Sequence, residues 1–351
     1  MKAAVAAGYS VVAMDVFADT DTMQAAEQVY KIEYANSGFD ALQFEAAFAQ
    51  IDMQDMVGFA YGSGFEAQPD LLARISKSLP LIGNCADTVR KLKDAPSFFK
   101  TLDDLLIPHP EVCFSPLENA TGWLRKEEGG SGGMHVQAAS ANQSLPQGQY
   151  YQRTIEGSPI SMLFAANGEE LKVVGFNQQW VAPITGKPYR YGGIVGHANL
   201  SAEIKHSLEA TALKITRAFN LRGLNSLDVI CQDSQYWVLE INPRLSSTLD
   251  LYQTEESNLF ALHLQAVAGD LSSFPVIPTK SKARNVFYAS HDLVIPENLA
   301  WPEWVADIPL PLTLIPQHQP VCTILAESDD ANASQALVLS RVNILSALLN
   351  E

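Results

Sequence analysis

Four side chains late in the chain have the types and spacing to do chemistry: Asp228, Glu240, Asn242 and Arg244. They sit in Ser226–Ser247, where two apolar runs rich in β-branched and aromatic residues flank the polar tetrad Gln232-Asp233-Ser234-Gln235, the pattern of a β-hairpin. With the turn centred near Ser234, Asp228 falls opposite Glu240, and strand alternation puts Asp228, Glu240 and Asn242 on one face. Carboxylates facing each other across a sheet repel, so something must compensate them. One solution is a hard divalent cation such as Mg²⁺, which takes oxygen ligands and is usually shared with substrate phosphates. Arg244, on the same parity, would then offer a fixed fork to a phosphate or carboxylate. The other solution needs no ligand: a solvated hairpin end in which Arg244 neutralises the acids.

Two glycine-rich segments are the next candidates. Gly62, Ser63 and Gly64 follow a buried strand (Met56 to Ala60) and precede a helix from about Pro69 to Ser78. They would offer free backbone N–H groups and close approach to a ligand, or only the dihedrals of a tight strand-to-helix turn. Gly129-Gly130-Ser131-Gly132-Gly133 lies between a strand ending at Lys126 and a strand starting at Met134-His135-Val136. Flanking strands argue against a flexible linker and for a hairpin loop that folds over phosphates, with Lys126 at its base facing the same phosphates.

The elements that position these residues follow a readable order. An N-terminal helix end (Lys2 to Gly8), a strand over Tyr9 to Phe17, helices at about 22–29 and 40–50, and strands near Tyr30 to Tyr34, Met56 to Ala60 and Pro80 to Gly83 form a doubly wound α/β domain over 1–83. A helical pair and an antiparallel sheet fill 84–282, in subdomains of about 84–149 and 150–282. A small β-rich module with a terminal helix closes 283–351. The overall class is α/β and α+β. A doubly wound domain normally opens on a strand and loop, and none precedes Lys2 here. The expectation is therefore a natural frame extending roughly 20–30 residues upstream, about one strand and half a helix.

Composition narrows the partners. The 351 residues carry 39 acids against 23 bases, a formal charge of −16, which argues against a nucleic-acid backbone or an anionic membrane. No apolar run is long enough to span a bilayer and no leader opens the chain. Cys85, Cys113, Cys231 and Cys322 are widely spaced, as reduced thiols of a cytoplasmic protein would be.

Taken in order, these elements resemble the ATP-grasp superfamily of the carboxylate–amine ligase type. The resemblance is carried by Leu81-Ile82-Gly83-Asn84, by Lys126 with Gly129–Gly133, by Gln152-Arg153-Thr154-Ile155-Glu156-Gly157, by Leu227-Asp228 and by Glu240-Ile241-Asn242-Pro243-Arg244. It implies ATP held between two α+β subdomains, with Asp228, Glu240 and Asn242 as ligands to Mg²⁺ or Mn²⁺. It implies Arg244 and Lys126 as catalytic residues at the transferred phosphoryl group and the other phosphates. Gly130, Ser131, Gly132 and Gly133 would cover the phosphates. Gln152, Arg153 and Ile155 belong to the hinge that offers backbone groups to adenine, and Gly62, Ser63 and Gly64 would face the substrate. Two departures stand out. The family's Asp-Lys pair aligns with Asp94-Ala95, so the second lysine is lost or is replaced by Lys91, Lys93 or Lys100. The hinge acid appears as Gln152-Arg153.

The reaction implied joins a carboxylate to an amine through an acyl phosphate, releasing ADP and phosphate. Phosphorylation gives a poor electrophile a good leaving group, and the transfer demands positioning and charge neutralisation. The N-terminal loop, with Asp15 to Asp21, and the short C-terminal module resemble proteins near tyramine–glutamate ligase of methanofuran synthesis, a C1-carrier pathway. Small-molecule substrates are expected, and the class allows a homodimer. A bicarbonate-using carboxylating enzyme and a non-catalytic nucleotide-binding protein are the alternatives.

Overall fold

The fold is described from a computed structural model covering residues 1–35 and 38–349. Long β-branched and aromatic runs pair antiparallel into an eight-stranded sheet. Its spatial order is Gln235–Asn242, Arg222–Gln232, Ser158–Asn167, Leu171–Val181, Tyr191–Gly196, Ser281–Tyr288, Pro320–Ser328 and Val305–Ala306. The region 283–351 thus continues the sheet, and the helix Ala331–Leu349 covers its strands.

The helix Ala202–Phe219 packs one face of the sheet. Ser201 caps it by accepting the Ile204 N–H at 3.2 Å, and Asn220 ends it in the left-handed region at φ 52°. Its Ile204, Leu208, Ala212, Ile215 and Phe219 recur at helical spacing and are buried against Met162, Phe164, Leu227, Val229 and Ile241. The opposite face buries Leu163, Ala165 and Leu224 under the helix Leu259–Val267. Ala3 and Ala4 of the short helix Lys2–Ala6 join that second core.

A smaller antiparallel sheet, ordered Val112–Cys113, Gln149–Arg153, Trp123–Glu127, Gln137–Ala138, carries the glycine loop. In the N-terminal region Val12–Asp15 pairs in parallel with Gln28–Lys31, and Phe59–Ala60 with Leu81–Ile82. The helix expected at 22–29 ends earlier, spanning Thr20–Ala25, because Val29 and Tyr30 are taken by the parallel strand. An aromatic cluster of Phe39, Phe44, Phe59, Tyr61 and Phe65 forms the local core.

A buried polar knot ties this region to the main sheet. Asn84, 1% exposed, donates to Asn225 Oδ1 at 2.8 Å and to the Pro243 carbonyl at 2.9 Å, and accepts the Arg222 N–H at 2.8 Å. The Tyr61 hydroxyl donates to the Asn84 carbonyl at 2.6 Å. His263 accepts the Leu224 N–H on Nδ1 and meets the Ile82 carbonyl with Nε2. Burial holds this imidazole down to about 4 and therefore neutral. Replacing Asn84 by Ala leaves Asn225 Oδ1 and the Arg222 N–H unpaired and the Pro243 carbonyl with only the longer Tyr61 contact, each unsatisfied group costing about 1–3 kcal/mol. Asn84→Ala is expected to lower unfolding free energy by about 3 kcal/mol in urea titration. A loss below about 0.5 kcal/mol would show that the knot holds nothing.

Candidate active site

The hairpin forms with the expected register. Asp228 faces Glu240, Ser226 faces Asn242, and the turn is Asp233-Ser234, with Asp233 in the left-handed region at φ 53°. The ladder shifts between Asp228 and Val229 and leaves Leu239 without a cross-strand partner. Asn242 Nδ2 donates to Asp228 Oδ2 at 2.9 Å. Ser161 lies opposite Asp228 on the next strand and acts to lower its carboxyl. Ser161 is a functional neighbour that sequence reasoning missed; its only signal was a hydroxyl inside an apolar strand.

The cation in contact with the acid face is Lys93, not Arg244. Lys93 Nζ lies 3.0 Å from Glu240 Oε2 and 3.4 Å from Asn242 Oδ1, and its side chain is 9% exposed. Burial alone would push the Glu240 carboxyl up, but the ammonium groups of Lys93 and Lys126 outweigh it and hold Glu240 below the usual range. Asp228 moves the other way, raised by burial and then by the Glu240 charge. Arg244 instead follows Pro243 out of the strand, and its Nε donates to buried Glu66 of the N-terminal region. The alternative in which Arg244 alone neutralises a solvated hairpin end therefore does not describe this face.

Of the three lysines near Ala95, Lys93 is the one that reaches the acid face. Lys91 is exposed, and Lys100 pairs with Asp104 at the surface. Lys93 ends the helix Ala86–Lys93, and Asp94 then caps the next helix by accepting the Ser97 N–H at 3.0 Å. That tight junction turns Lys93 towards the acids. Ala95 itself is buried, and its N–H donates to Glu128 Oε1.

Lys126 lies in the Trp123–Glu127 strand beside this face, buried, with Nζ donating to Gln152 Oε1 at 3.2 Å. Burial lowers its pKa. Gln152 is 2% exposed, and its Nε2 has no partner among the described residues. Arg153 points elsewhere: its guanidinium sits 5.2 Å over the Trp123 ring and donates to the Thr121 carbonyl. Its side chain is therefore not part of the site, because alternation turns it to the outer face of the small sheet. Half-buried Ile155 follows the strand end.

The Gly129–Gly133 loop joins the Trp123–Glu127 strand to a turn, not to a strand at Met134-His135-Val136; the next strand is only Gln137–Ala138. Val136 N–H bonds the Gly133 carbonyl, and Tyr191 N–H bonds that of Gly132 at 2.9 Å. A Cβ on Gly133, at φ 70°, would fall 1.8 Å from the Tyr189 carbonyl oxygen, and one on Gly130 would fall 2.2 Å from the His135 ring. Glycine is required at both by close approach. Burial holds His135 down to about 4, and its Nδ1 has no protein partner.

A cleft of about 690 Å³ opens between the N-terminal region and the glycine loop, lined among others by Phe39, Glu66, Gln68, Lys93, Glu128 and Gly129. Gly62, Ser63 and Gly64 are outside that lining; Gly62 lies against the Leu245 carbonyl. The polar residue of that turn that reaches the cleft is Glu66, which the sequence did not single out.

These features define the class. Residues 92–248 match the family model of the ATP-grasp domain, and the chain has the ATP-grasp fold. It is similar to biotin carboxylase of Campylobacter jejuni in complex with β-γ-ATP, at 12% identity and a TM-score of 0.72 over 96% of this chain and 86% of that one. It is similar to the biotin carboxylase domain of Hydrogenobacter thermophilus 2-oxoglutarate carboxylase, in complex with MgADP, ADP and bicarbonate, at 10% identity and 0.73 over 97% and 85%. The N5-carboxyaminoimidazole ribonucleotide synthetase of Thermotoga maritima gives 12% and 0.67 over 97% and 94%. In sequence, 178 residues are 21% identical to an uncharacterized protein of Methanocaldococcus jannaschii, covering 51% of this chain and 42% of that protein.

Lys93 gives the first test of the site. Lys93→Met is expected to weaken binding of the Mg²⁺–ATP complex at least tenfold by calorimetry, the scale of one charge-assisted contact. Lys100→Met should change it less than twofold. Equal effects from the two would remove Lys93 from the site.

Proposed function

We propose that this chain is an ATP-dependent ligase that activates a carboxylate as an acyl phosphate and passes the acyl group to an amine, with release of ADP and phosphate. The observation that carries this reading is the one-faced set Asp228, Glu240 and Asn242 with Lys93 and Lys126 beside it. Among the described residues no three His, Cys, Asp or Glu side chains gather as a metal site. Two carboxylates and an amide form an incomplete donor set, which suits a Mg²⁺ or Mn²⁺ ion that also takes oxygens from phosphates. Asp228 Oδ1, buried without a protein partner, fits that role. When bound, the ion would neutralise phosphate charge and hold the triphosphate in register.

The chain's own groups supply the rest. Lys93 and Lys126 bring positive charge to the phosphates from two elements. Gly130, Ser131, Gly132 and Gly133 present backbone N–H groups at close range and exclude water. Gln152 Nε2 and the backbone up to Ile155 border the base. Arg244 meets the acyl phosphate from the N-terminal side. The cleft at Glu66, Gln68 and Gly129 admits the carboxylate and the amine as small molecules, and a C1-carrier route such as methanofuran synthesis is the specific setting proposed. Four unpaired cysteines suit a cytoplasmic location.

A second reading has its own support: the fold likeness to biotin carboxylases and N5-carboxyaminoimidazole ribonucleotide synthetase. On that reading bicarbonate is the carboxylate activated. Phosphate release is to be measured with pooled carboxylates and amines, with bicarbonate as a separate arm. Stimulation only by a carboxylate–amine pair supports the first reading, and stimulation by bicarbonate the second. Glu240→Gln should lower either turnover by at least a factor of about 10² with circular dichroism unchanged, a typical loss for one group stabilising transferred charge. Near-normal turnover would remove the acid face from the chemistry.

A further inference from the structure

The buried pair Glu66–Arg244 joins two parts of the chain that are 178 residues apart. Both Glu66 oxygens are committed: Oε1 accepts Arg244 Nε–H, and Oε2 accepts the Gly64 N–H at 3.0 Å. The Glu66 side chain is 2% exposed and that of Arg244 11%. Neither end can drift. Phe65 is locked in the aromatic cluster, and Gly64 turns at φ 102°, where a Cβ would press on the Phe39 ring. On the other side the Pro243 carbonyl is held by Asn84 and Tyr61.

A free arginine has several rotatable bonds and samples many poses. Here Nε is spent on Glu66, and Nη1 donates to the Leu245 carbonyl at 3.3 Å. One Nη1 hydrogen and both Nη2 hydrogens remain, and Nη2 has no protein acceptor among the described residues. Arg244 follows the acid-face residue Asn242 by two positions, and its charge is among those that lower the Asp228 carboxyl. Glu66 meanwhile lines the cleft. Glu66 thus borders the cleft while its buried carboxylate holds Arg244.

We propose that Glu66 is a positioning residue: it fixes the Arg244 guanidinium so that its free Nη edge faces the transferred group, and it does so from the N-terminal region. This rests on the ligase reading for the identity of the group faced, but not for the ion pair itself. A residue that acts only through Arg244 should be silent once Arg244 is gone.

The test uses the full chain, with Mg²⁺–ATP hydrolysis, with and without bicarbonate, as the probe. Glu66→Gln keeps the shape and removes the charge. It is expected to lower kcat at least tenfold while KM for ATP shifts less than threefold. Glu66→Ala should lower kcat further, and Glu66→Ala in an Arg244→Ala background should change it less than twofold. Multiplying losses in the double variant would overturn the proposal, as would an unchanged kcat in Glu66→Gln. Arginine side-chain NMR gives a readout independent of turnover. One Nε–H signal, lost in Arg244→Ala, should exchange with water at least tenfold more slowly than exposed arginines and lose that protection in Glu66→Ala. If the unaltered chain fails to bind Mg²⁺–ATP, the ligase reading falls while the NMR result still decides the ion pair. Absent protection in the unaltered chain overturns the pair.

Discussion

Two buried carboxylates that face each other across a hairpin are the constraint on which the site depends. Left alone, Asp228 and Glu240 would repel at short range in a poorly solvated setting. The fold meets this by dividing labour. Lys93 and Lys126 stabilise charge on Glu240, while Asp228 is held by the hydrogen bond of Asn242 and faces Ser161 on the next strand. Each neighbour reaches the face from a different element: a helix end, the small sheet, and two strands of the main sheet. The site therefore exists only when both sheets and the helical pair are docked.

The N-terminal region is part of this machinery through the segment Asn242-Pro243-Arg244. Asn84, Tyr61 and Glu66 grip consecutive residues of it. A buried ion pair contributes little to net stability, because desolvation offsets most of its Coulomb attraction, yet removing one partner is costly. Its use here is geometric. It removes the freedom of a long side chain at the point where a strand gives way to a loop.

Much of this was legible in the sequence because it rests on short-range periodicity. Alternation with period two put Asp228 opposite Glu240. Glycines after the Trp123–Glu127 strand marked a loop that borders the cleft. What could not be read depends on groups far apart in the chain. Lys91, Lys93 and Lys100 are equivalent in type, and only the docked helix junction selects Lys93. No local pattern links Glu66 to Arg244. Arg153 was assigned by position in a motif, and its outward side chain follows from strand parity and an aromatic neighbour. The strand expected at Met134 dissolved because close packing of glycine on His135 favours a turn.

The continuation of the sheet through Ser281–Tyr288 and Pro320–Ser328 has a consequence for any shortened form of the protein. The Tyr191–Gly196 strand is paired on both sides only because Ser281–Tyr288 lies beside it. A chain cut at the Pro-rich stretch near residue 278 would leave that strand as a bare rim of unpaired N–H and C=O groups, flanked by apolar Ile194 and Val195. Such a rim is a template for pairing with another molecule. The compositional break there is a seam in the sequence, while mechanically it lies inside one continuous slab.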